Sequence, residues 1–355
     1  MKELGFFGKI TELIQPADWD GFKLARVVAE HKERYIVQGP EGTFHAEITG
    51  NLRFSAQSRS DFPAVGDWVK ITMMDKDLAL ILQVFPRTSV LERKAVGKFG
   101  EIQLIAANID VAFIVQAVDR DFNINRAERY LAVCRNAQIQ PILLLSKIDL
   151  IEDAVLNQML AQIQKRIKTT QVLTLSSETK NGYEQLTPVL EPYKTYCFLG
   201  SSGVGKSTIV NHLAGYEVLK TSAISTSTQK GRHTTSHREL LVLPNKSIVI
   251  DTPGMRELGL TDNAAGVELT YDEISKLAKQ CRFNDCSHTT EKGCAVLQAV
   301  EEGIISEEML VNYRKLVREQ IRFSSSIQEK RQKSREQGKL YKAIMNEKKK
   351  NTNKY

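Results

Sequence analysis

Short apolar runs separated by turn residues dominate the first 88 positions of the chain. Four of them predict β-strands, at Leu24–Val28, Arg34–Val37, Thr43–Ile48 and Asp67–Met73. Several short strands at this spacing, bounded by Gly, Pro and Asp, favour a small barrel. We therefore predict an N-terminal β-barrel over residues 1–90, and a β-module with a purely structural role is the alternative.

The pattern changes at about residue 100 to short apolar runs that alternate with amphipathic stretches. The predicted strands are Ile109–Ala117, Ile142–Leu145, Val172–Leu175, Thr195–Leu199 and Ser247–Ile250, and the clearest helices are Asn125–Asn136 and Asp153–Lys168. Apolar runs of this kind are typical of buried parallel strands, and their alternation with helices predicts a doubly wound α/β sheet. We assign this domain to residues 100–262.

Residues 263–355 form the third predicted region, which is helical, holds a cluster of cysteines and ends in a basic tail. From residue 314 onward the chain carries 14 Lys or Arg against 4 Glu, although the formal net charge of the whole chain is only +7. The bulk of the protein is therefore mildly acidic. A tail of this charge suits a polyanion, either nucleic acid or an anionic membrane face.

The strongest chemical signal is a glycine-rich segment between a predicted strand and a predicted helix. It reads Gly200-Ser201-Ser202-Gly203-Val204-Gly205-Lys206-Ser207-Thr208 and fits the pattern G-x-x-x-x-G-K-[ST]. Glycines let the backbone turn its N–H groups toward phosphates, the lysine adds positive charge, and the hydroxyl after it ligates Mg²⁺. We predict that residues 200–208 bind a nucleoside triphosphate, with Lys206 on the β- and γ-phosphates and Ser207 on Mg²⁺.

A second phosphate signal, Asp251-Thr252-Pro253-Gly254, directly follows a predicted strand. An acidic residue at a strand end, after a phosphate-binding loop, is suited to hold Mg²⁺ through water. The N–H of Gly254 is then expected to meet the γ-phosphate.

Between these two motifs lies Gly231-Arg232-His233-Thr234-Thr235, which follows a stretch rich in Ser and Thr. We interpret it as a mobile loop in which a threonine completes the Mg²⁺ shell only when the γ-phosphate is present. The sequence leaves open whether Thr234 or Thr235 does so.

A guanine-reading motif is indicated by Ser146-Lys147-Ile148-Asp149, which follows a predicted strand. In N/T-K-x-D motifs the aspartate accepts hydrogen bonds from guanine N1–H and the exocyclic amine, a donor pair that adenine lacks. Ser146 replaces the usual Asn or Thr, and its hydroxyl can still join two loops with shorter reach. Ser176 and Ser177, after the next strand, are candidates to reach guanine O6 through a backbone N–H.

A metal site is predicted by the spacing Cys281-x4-Cys286-x-His288-x5-Cys294. Three thiolates and one imidazole match a tetrahedral Zn²⁺ set, and four protein ligands make the metal structural. Cys134 and Cys197 are isolated in apolar stretches and are interpreted as buried thiols.

Taken together, these motifs resemble the circularly permuted ribosome-biogenesis GTPases known as RsgA or YjeQ. The resemblance rests on the motif order, on GRHTT, on DTPG followed by Met255-Arg256-Glu257, and on the cysteine spacing. It implies an OB-type, RNA-facing barrel, a permuted GTPase domain and a C-terminal zinc module. It also implies a role in late maturation of the small ribosomal subunit, with GTPase activity stimulated by that subunit and ribosomal RNA as the polyanionic partner.

The predicted reaction is in-line attack of water on the γ-phosphate of GTP. Met255 stands where many GTPases carry a water-orienting Gln, so we expect slow turnover without the partner. His233 is the candidate within the chain to orient water, as the resemblance also suggests, and a histidine that contacts RNA is the alternative. Lys206 stabilises the charge of the transferred phosphoryl group.

No apolar run reaches membrane-spanning length, and the first residues lack a secretory pattern, so we expect a cytoplasmic monomer. Two other functions stay open. One is an RNA-binding factor outside the ribosome that is gated by nucleotide, and the other is a P-loop ATPase or kinase. A membrane-surface GTPase is a weaker third possibility.

Overall fold

The computed structural model describes residues 1–31, 34–94, 102–119, 122–219, 238–251 and 265–322. Five strands near the N-terminus close into a barrel. They are β1 (Lys23–His31), β2 (Arg34–Gly39), β3 (Gly42–Ile48), β4 (Trp68–Met73) and β5 (Leu78–Val84). Their neighbour order is β1-β2-β3-β5-β4, and β4 pairs back to β1. The four predicted strands are confirmed, and β5 is one that the sequence analysis did not assign.

The barrel interior is built from small and branched apolar side chains. Val27, Val37 and Ile81 are among the residues with no exposed surface in this core. The N-terminal segment packs on the barrel through Phe6, whose ring meets Trp68 edge-on at 5.0 Å between centroids. Two short helices belong to this region, α1 (Lys9–Leu13) and α2 (Gly50–Ser55).

A two-stranded hairpin, β6 (Val90–Lys94) and β7 (Ile102–Ala107), leads from the barrel into the α/β domain. The strands of that domain are β8 (Val111–Ala117), β9 (Gln140–Ser146), β10 (Val172–Leu175), β11 (Thr195–Leu199), β12 (Arg238–Val242) and β13 (Ile248–Asp251). Their order is β10-β9-β8-β11-β13-β12, and all neighbours are parallel except β12 with β13. The predicted parallel sheet is confirmed. The sequence analysis did not assign β12.

Helices cover both faces of the sheet, so its central strands are buried on both sides. The helices are α3 (Ile124–Asn136), α4 (Asp153–Arg166), α5 (Tyr183–Leu186) and α6 (Lys206–Ala214). One apolar core includes side chains of α3 and α4, and the other includes side chains of α5 and α6.

The barrel and the α/β sheet share hydrogen bonds along one edge. Strand β1 pairs antiparallel with β12, with Ala29 opposite Glu239 and Glu30 opposite Arg238. The result is one continuous sheet of eleven strands. Strand β12 therefore has neighbours on both sides, β13 in the α/β domain and β1 in the barrel.

The C-terminal module packs against α3. It consists of α7 (Ala265–Thr270), α8 (Asp272–Ala278), a cysteine-containing loop, α9 (Ala295–Glu301) and α10 (307–322). Helix α7 lies so close to α3 that a Cβ on Gly266 would stand 2.1 Å from the Ala132 carbonyl oxygen. Residues 323–355, which include most of the basic tail, lie outside the described residues. Among the helices that are described, none is long and apolar enough to cross a membrane.

Candidate functional site

The predicted nucleotide motifs converge on one edge of the sheet. Strands β8, β9, β10, β11 and β13 run parallel, so the residues that follow them share the carboxyl edge. Ligands of open α/β sheets bind at this edge. The motifs occur in the chain in the order 146–149, 200–208 and 251, yet the sheet order places β11 and β13 side by side, with β8 between β11 and β9.

The glycine-rich loop follows β11 and wraps into the start of α6. Gly200 has φ of 147°, and a Cβ there would stand 2.2 Å from the Val115 carbonyl oxygen, so only glycine fits without displacing β8. Gly205, immediately before α6, adopts a left-handed conformation with φ of 97°. Lys206 Nζ donates to the carbonyl oxygens of Gly200 at 2.8 Å and Ser201 at 2.6 Å. The ammonium group therefore lies against the loop that is predicted to hold phosphates.

Ser146 joins the segment that is predicted to read guanine to this loop. The side chain is only 2% exposed, and its Oγ donates to the Val204 carbonyl oxygen at 2.6 Å. The hydroxyl thus makes the bridge between loops that the sequence analysis expected of it. Asp149 lies three residues further along the same segment, so the segments predicted to read the base and to bind phosphates are joined by a hydrogen bond despite their separation in the chain.

The side chains of Lys147 and Asp149 are each held by a partner. Lys147 adopts a left-handed backbone conformation, φ 61° and ψ 36°, and its Nζ pairs with Asp119 at 3.1 Å. Asp149 Oδ1 accepts a hydrogen bond from Ser176 Oγ. Ile148 begins the short helical turn that carries Asp149. A carboxylate fixed at one oxygen presents the other in a defined direction.

Ser176 acts differently from the expectation. Its N–H donates to the Asn181 carbonyl oxygen at 2.9 Å, so this N–H is used within the loop, and its hydroxyl instead orients Asp149. The neighbouring Ser177 has its Oγ 3.0 Å from the hydroxyl of Tyr183. Burial raises the pKa of Tyr183, which keeps that hydroxyl protonated.

Two of the predicted Mg²⁺ ligands lie in the described part of the chain. Ser207 is in the first turn of α6, and Asp251 is the last residue of β13. Because β13 neighbours β11, the carboxylate and the hydroxyl share the carboxyl edge of adjacent strands. Oxygen donors are what Mg²⁺ prefers, so these two residues fit the ion. His233, Thr234, Thr235 and Gly254 lie outside the described residues.

Three side chains near the site were not identified from the sequence. Arg126 donates to Ser201 Oγ at 2.6 Å, Asp119 pairs with Lys147, and Gln116 bonds both backbone groups of Asn123 before α3. For Gln116 a clue was available, because it is the one polar residue of the strand Val111–Ala117 and lies next to its end. Arg126 and Asp119 look like ordinary surface charges in the sequence.

The cysteine cluster forms a compact set of possible metal ligands. One atom from each of Cys281, Cys286, His288 and Cys294 lies within 4.8 Å of the others. The Cys281 sulfur is 3.8 Å from the Cys294 sulfur, and His288 Nδ1 is 3.4 Å from the Cys294 sulfur. Sulfur ligands about 2.3 Å from a tetrahedral ion are roughly 3.8 Å apart, so these edges fit such an ion.

Backbone N–H groups at the start of α9 favour the thiolate form of Cys281, whereas burial raises the pKa of the Cys286 thiol to about 11. Burial opposes ionisation of Cys281, yet hydrogen bonds from the N–H groups of Val296 and Ala295 lower the pKa of its thiol. The N–H of Leu297 donates to the Cys294 sulfur at 3.4 Å. Burial lowers the pKa of His288, so its neutral, metal-binding form is favoured. The four residues can therefore hold a metal ion.

Comparisons with known proteins agree with this geometry. A family model described as RsgA GTPase matches residues 84–261. The small ribosomal subunit biogenesis GTPase RsgA of Opitutus terrae is 41% identical over 331 residues, which cover 90% of this chain and 89% of that protein. RsgA 2 of Lactiplantibacillus plantarum is 43% identical over 301 residues, covering 84% of each chain.

Two solved structures share the fold. YjeQ from Thermotoga maritima has a TM-score of 0.63 at 24% identity and covers 84% of this chain and 99% of its own. YloQ, a circularly permuted GTPase, has a TM-score of 0.60 at 22% identity and covers 89% and 99%. With the barrel, the permuted motif order and the relatives over most of its length, the chain belongs to the RsgA family of GTPases.

Proposed function

We propose that the chain binds GTP with Mg²⁺ at the carboxyl edge of the α/β sheet and couples its hydrolysis to late maturation of the small ribosomal subunit. The observation that carries the proposal is the hydrogen bond from Ser146 Oγ to the Val204 carbonyl oxygen, 2.6 Å long. It brings a segment that selects a base next to a loop that cradles phosphates. The relatives named above are themselves small ribosomal subunit biogenesis GTPases.

Base selection rests on Asp149. Its carboxylate, oriented by Ser176, is suited to accept hydrogen bonds from guanine N1–H and the exocyclic amine. Adenine cannot supply this pair of donors, so we expect ATP to bind much more weakly than GTP. Lys147, paired with Asp119, lies in the same segment and is proposed to pack along the base.

The phosphate groups are assigned to residues 200–208. Lys206 exchanges its two loop carbonyls for the β- and γ-phosphate oxygens, and loop N–H groups stabilise charge on the transferred phosphoryl. Mg²⁺, when bound by Ser207, Asp251 and Thr234 or Thr235, neutralises charge between the β- and γ-phosphates. Gly254 N–H is assigned to the γ-phosphate.

Water then attacks the γ-phosphate in line, giving GDP and phosphate. His233 is the residue proposed to orient that water, because Met255 cannot do so. The small subunit is proposed to accelerate a slow basal reaction. Replacing His233 by Ala is expected to abolish most of the stimulated turnover while leaving GDP affinity close to that of the parent protein, and full stimulated turnover would remove the assignment.

The metal in the cysteine cluster is proposed to be a single structural Zn²⁺. Its role is to hold the loop between α8 and α9, since all four ligands come from the protein. Chelation should release one zinc per chain and expose residues 281–294 to hydrogen exchange. A Cys286→Ser variant that keeps stoichiometric zinc would contradict this ligand set.

Ribosomal RNA is the proposed partner of the OB-type barrel and of the basic tail. We propose that residues 1–90, 100–262 and 263–355 act as separate domains of one cytoplasmic monomer. Phosphate contacts by Lys and Arg make binding depend steeply on salt. Binding to purified small subunits that weakens with salt, with no retention on anionic vesicles, is the expected result. Preferential vesicle binding would favour a membrane-surface role.

The decisive experiment measures turnover of GTP with and without small ribosomal subunits. The parent protein should be slow alone and clearly stimulated by the subunit. Lys206→Ala should lose nucleotide binding and turnover together. Asp149→Asn should shift preference from GTP toward XTP, because an amide donates to the xanthine oxygen where guanine has an amine.

Competition between ATP and labelled GTP tests whether the site selects guanine. If ATP displaces labelled GTP from the parent protein, the guanine-reading role of Asp149 fails and an ATPase or kinase is favoured. If GTP turnover is normal but small subunits have no effect, the site assignment survives and the ribosomal role fails.

A further inference from the structure

Helix α3 touches the phosphate-binding loop at its first turn. Arg126 Nη1 donates to Ser201 Oγ at 2.6 Å, and the Ser201 carbonyl oxygen accepts from Lys206 Nζ at 2.6 Å. One loop residue is therefore held on its side chain by α3 and on its backbone by the lysine. Ser201 is the residue through which α3 acts on the loop.

The start of α3 is fixed to the sheet. Asn123 caps the helix by accepting from the Arg126 N–H at 3.1 Å. Gln116, at the end of β8 and only 1% exposed, donates to the Asn123 carbonyl oxygen at 3.1 Å and accepts from its N–H at 2.9 Å. The backbone at the start of α3 is therefore a fixed point, and the orientation of the helix beyond Asn123 is set by its other contacts.

The next residues of α3 are bound to the C-terminal module. Glu128, 1% exposed, accepts from the Tyr271 hydroxyl at 2.8 Å and from Asn312 Nδ2 at 2.6 Å. Arg129 pairs with Glu319 of α10 at 2.8 Å. An open groove of about 590 Å³ lies between α3 and α10, and Arg126, Arg129 and Asn312 are among the residues that line it.

We propose that Arg126 is a positioning residue for the phosphate-binding loop. Through α3, the position of Arg126 depends on whether α10 is packed against that helix. The proposal rests on the GTP site proposed above. Arg126, Glu128 and Arg129 lie within one helical turn, so α3 moves them together. When α10 is packed against α3, Arg126 holds Ser201 and the loop keeps its phosphate-binding conformation. When α10 is displaced, that restraint weakens and nucleotide binding must order the loop.

The first test measures the affinity of the full chain for a fluorescent GDP analogue in Arg126→Ala, Ser201→Ala and the double variant. Each single change should weaken binding by about tenfold, and the double variant should be no weaker than either, because both remove one contact. Arg126→Lys, which keeps a donor, should recover most of the loss. Thermal unfolding should be close to that of the parent.

Lys206→Ala in the same assay separates the two proposals. Loss of binding in Lys206→Ala together with parental affinity in Arg126→Ala would overturn the positioning role alone. Parental affinity in Lys206→Ala would remove the proposed GTP site itself. Additive losses in the double variant would also count against a shared contact.

The second test concerns the link to α10. Asn312→Ala removes two hydrogen bonds near Glu128, and we expect about threefold weaker GDP binding, because only part of this loss is transmitted through α3 to the loop. Lys168→Ala is the matched control, because it breaks an ion pair with Glu273 that joins the module to the α/β domain without using α3.

The combination of variants decides the outcome. Adding Asn312→Ala to Arg126→Ala should not lower GDP affinity further. Lys168→Ala should leave GDP affinity unchanged both in the parent protein and in Arg126→Ala. Two results would refute the link between α10 and Arg126. One is an equal loss of GDP affinity in Asn312→Ala and Lys168→Ala, and the other is the same loss from Asn312→Ala in the parent protein and in Arg126→Ala.

Discussion

The α/β domain is held on its two sides by buried charges of opposite sign, and the partners of those charges differ in kind. On the barrel side the charge is the guanidinium of Arg26, 1% exposed. On the side of the C-terminal module it is the carboxylate of Glu128, also 1% exposed. We call the contacts of Arg26 the barrel junction and the contacts of Glu128 the C-terminal junction.

At the barrel junction the acceptors are mainly backbone groups. Arg26 donates to the carbonyl oxygens of Leu4, of Gly66 at 3.1 Å and of Asn108 at 3.3 Å, and to Thr195 Oγ1 at 3.1 Å. Burial lowers the pKa of Arg26 to about 10, against the opposing charges of Asp110 and Asp67. One side chain thus joins the N-terminal segment, the barrel, the connecting loop and β11.

At the C-terminal junction all partners are side chains. Arg166 makes two hydrogen bonds to Glu128, at 2.9 and 2.7 Å, and Tyr271 and Asn312 complete the set. Burial and the Glu128 carboxylate raise the pKa of Tyr271, so its hydroxyl remains a donor. A backbone carbonyl acceptor is present whichever amino acid occupies the position, whereas a side-chain partner is lost when its residue is substituted. The comparison therefore suggests a permanent junction with the barrel and a separable one with the C-terminal module.

Arg26→Met should have the largest effect. It leaves the carbonyl oxygens of Leu4 and Asn108 and the Thr195 hydroxyl without this donor, whereas the Gly66 carbonyl oxygen keeps a hydrogen bond from Asn108 Nδ2. At about 1–3 kcal/mol for each of these three buried groups, we expect a loss of about 3–9 kcal/mol. Urea unfolding measures it. Arg34→Met is the control, because Arg34 lies on β2 with its side chain 80% exposed and only a 3.6 Å contact to Glu47. A loss below 1 kcal/mol for Arg26→Met would contradict the role of this junction.

Two glycines allow the junctions to be compared directly. A Cβ on Gly66 would stand 2.1 Å from the Ala107 carbonyl oxygen, and one on Gly266 would stand 2.1 Å from that of Ala132. Gly66 also has φ of 95°, whereas Gly266 is helical. Positive φ adds about 1–2 kcal/mol to an overpacking cost of about 1–3 kcal/mol.

We therefore expect Gly66→Ala to cost about 3–4 kcal/mol and Gly266→Ala about 2 kcal/mol, since α7 can move away from α3. Hydrogen exchange should locate the second loss in residues 265–322 and spread the first over the barrel and β11. Equal, global losses would show that the two junctions respond alike.

Glu128→Gln tests the side-chain junction with a smaller change. The amide still accepts from Tyr271 and Asn312 but no longer neutralises Arg166, whose side chain is 13% exposed. We expect a loss of about 2 kcal/mol, because hydrogen bonds to charged groups contribute about 1.5–3 kcal/mol. The double change Glu128→Leu with Arg166→Met removes both charges but leaves the Tyr271 hydroxyl and Asn312 Nδ2 without their acceptor, so it should be less stable than Glu128→Gln. A double variant that is more stable would show that the two charges oppose the stability of this junction.

Much of the fold follows from hydrophobic pattern alone. Strands Val172–Leu175 and Thr195–Leu199 have the predicted bounds, because both are apolar runs with turn residues on either side. Strand β12, Arg238–Val242, was missed because it begins with two charges and acquires its second neighbour, β1, from a distant part of the chain. Pairing of this kind has no local signal.

The site was predictable where it consists of short motifs. Glycines, the lysine and the cysteine spacing identify chemistry because each residue type is needed at its position. The charges that organise the site could not be predicted in this way. Arg26, Glu128 and Arg126 are charged residues of the kind usually found at the surface, and their roles depend on partners 169, 184 and 75 positions away, at Thr195, Asn312 and Ser201.

The contact of Ser146 resembles the barrel junction on a smaller scale, because a side-chain donor meets a backbone acceptor, the Val204 carbonyl oxygen. Ser146→Ala leaves that buried carbonyl without its donor, so we expect GDP to bind about tenfold more weakly, equivalent to about 1.4 kcal/mol, with little change in global stability. Equilibrium titration with labelled GDP measures the effect, and Ser55→Ala on the exposed helix α2 is the control. Ser146→Thr keeps the hydroxyl and should bind like the parent protein. If Ser146→Ala also binds like the parent, the two loops are held together by packing of the sheet edge, and the hydrogen bond between them does not set nucleotide affinity.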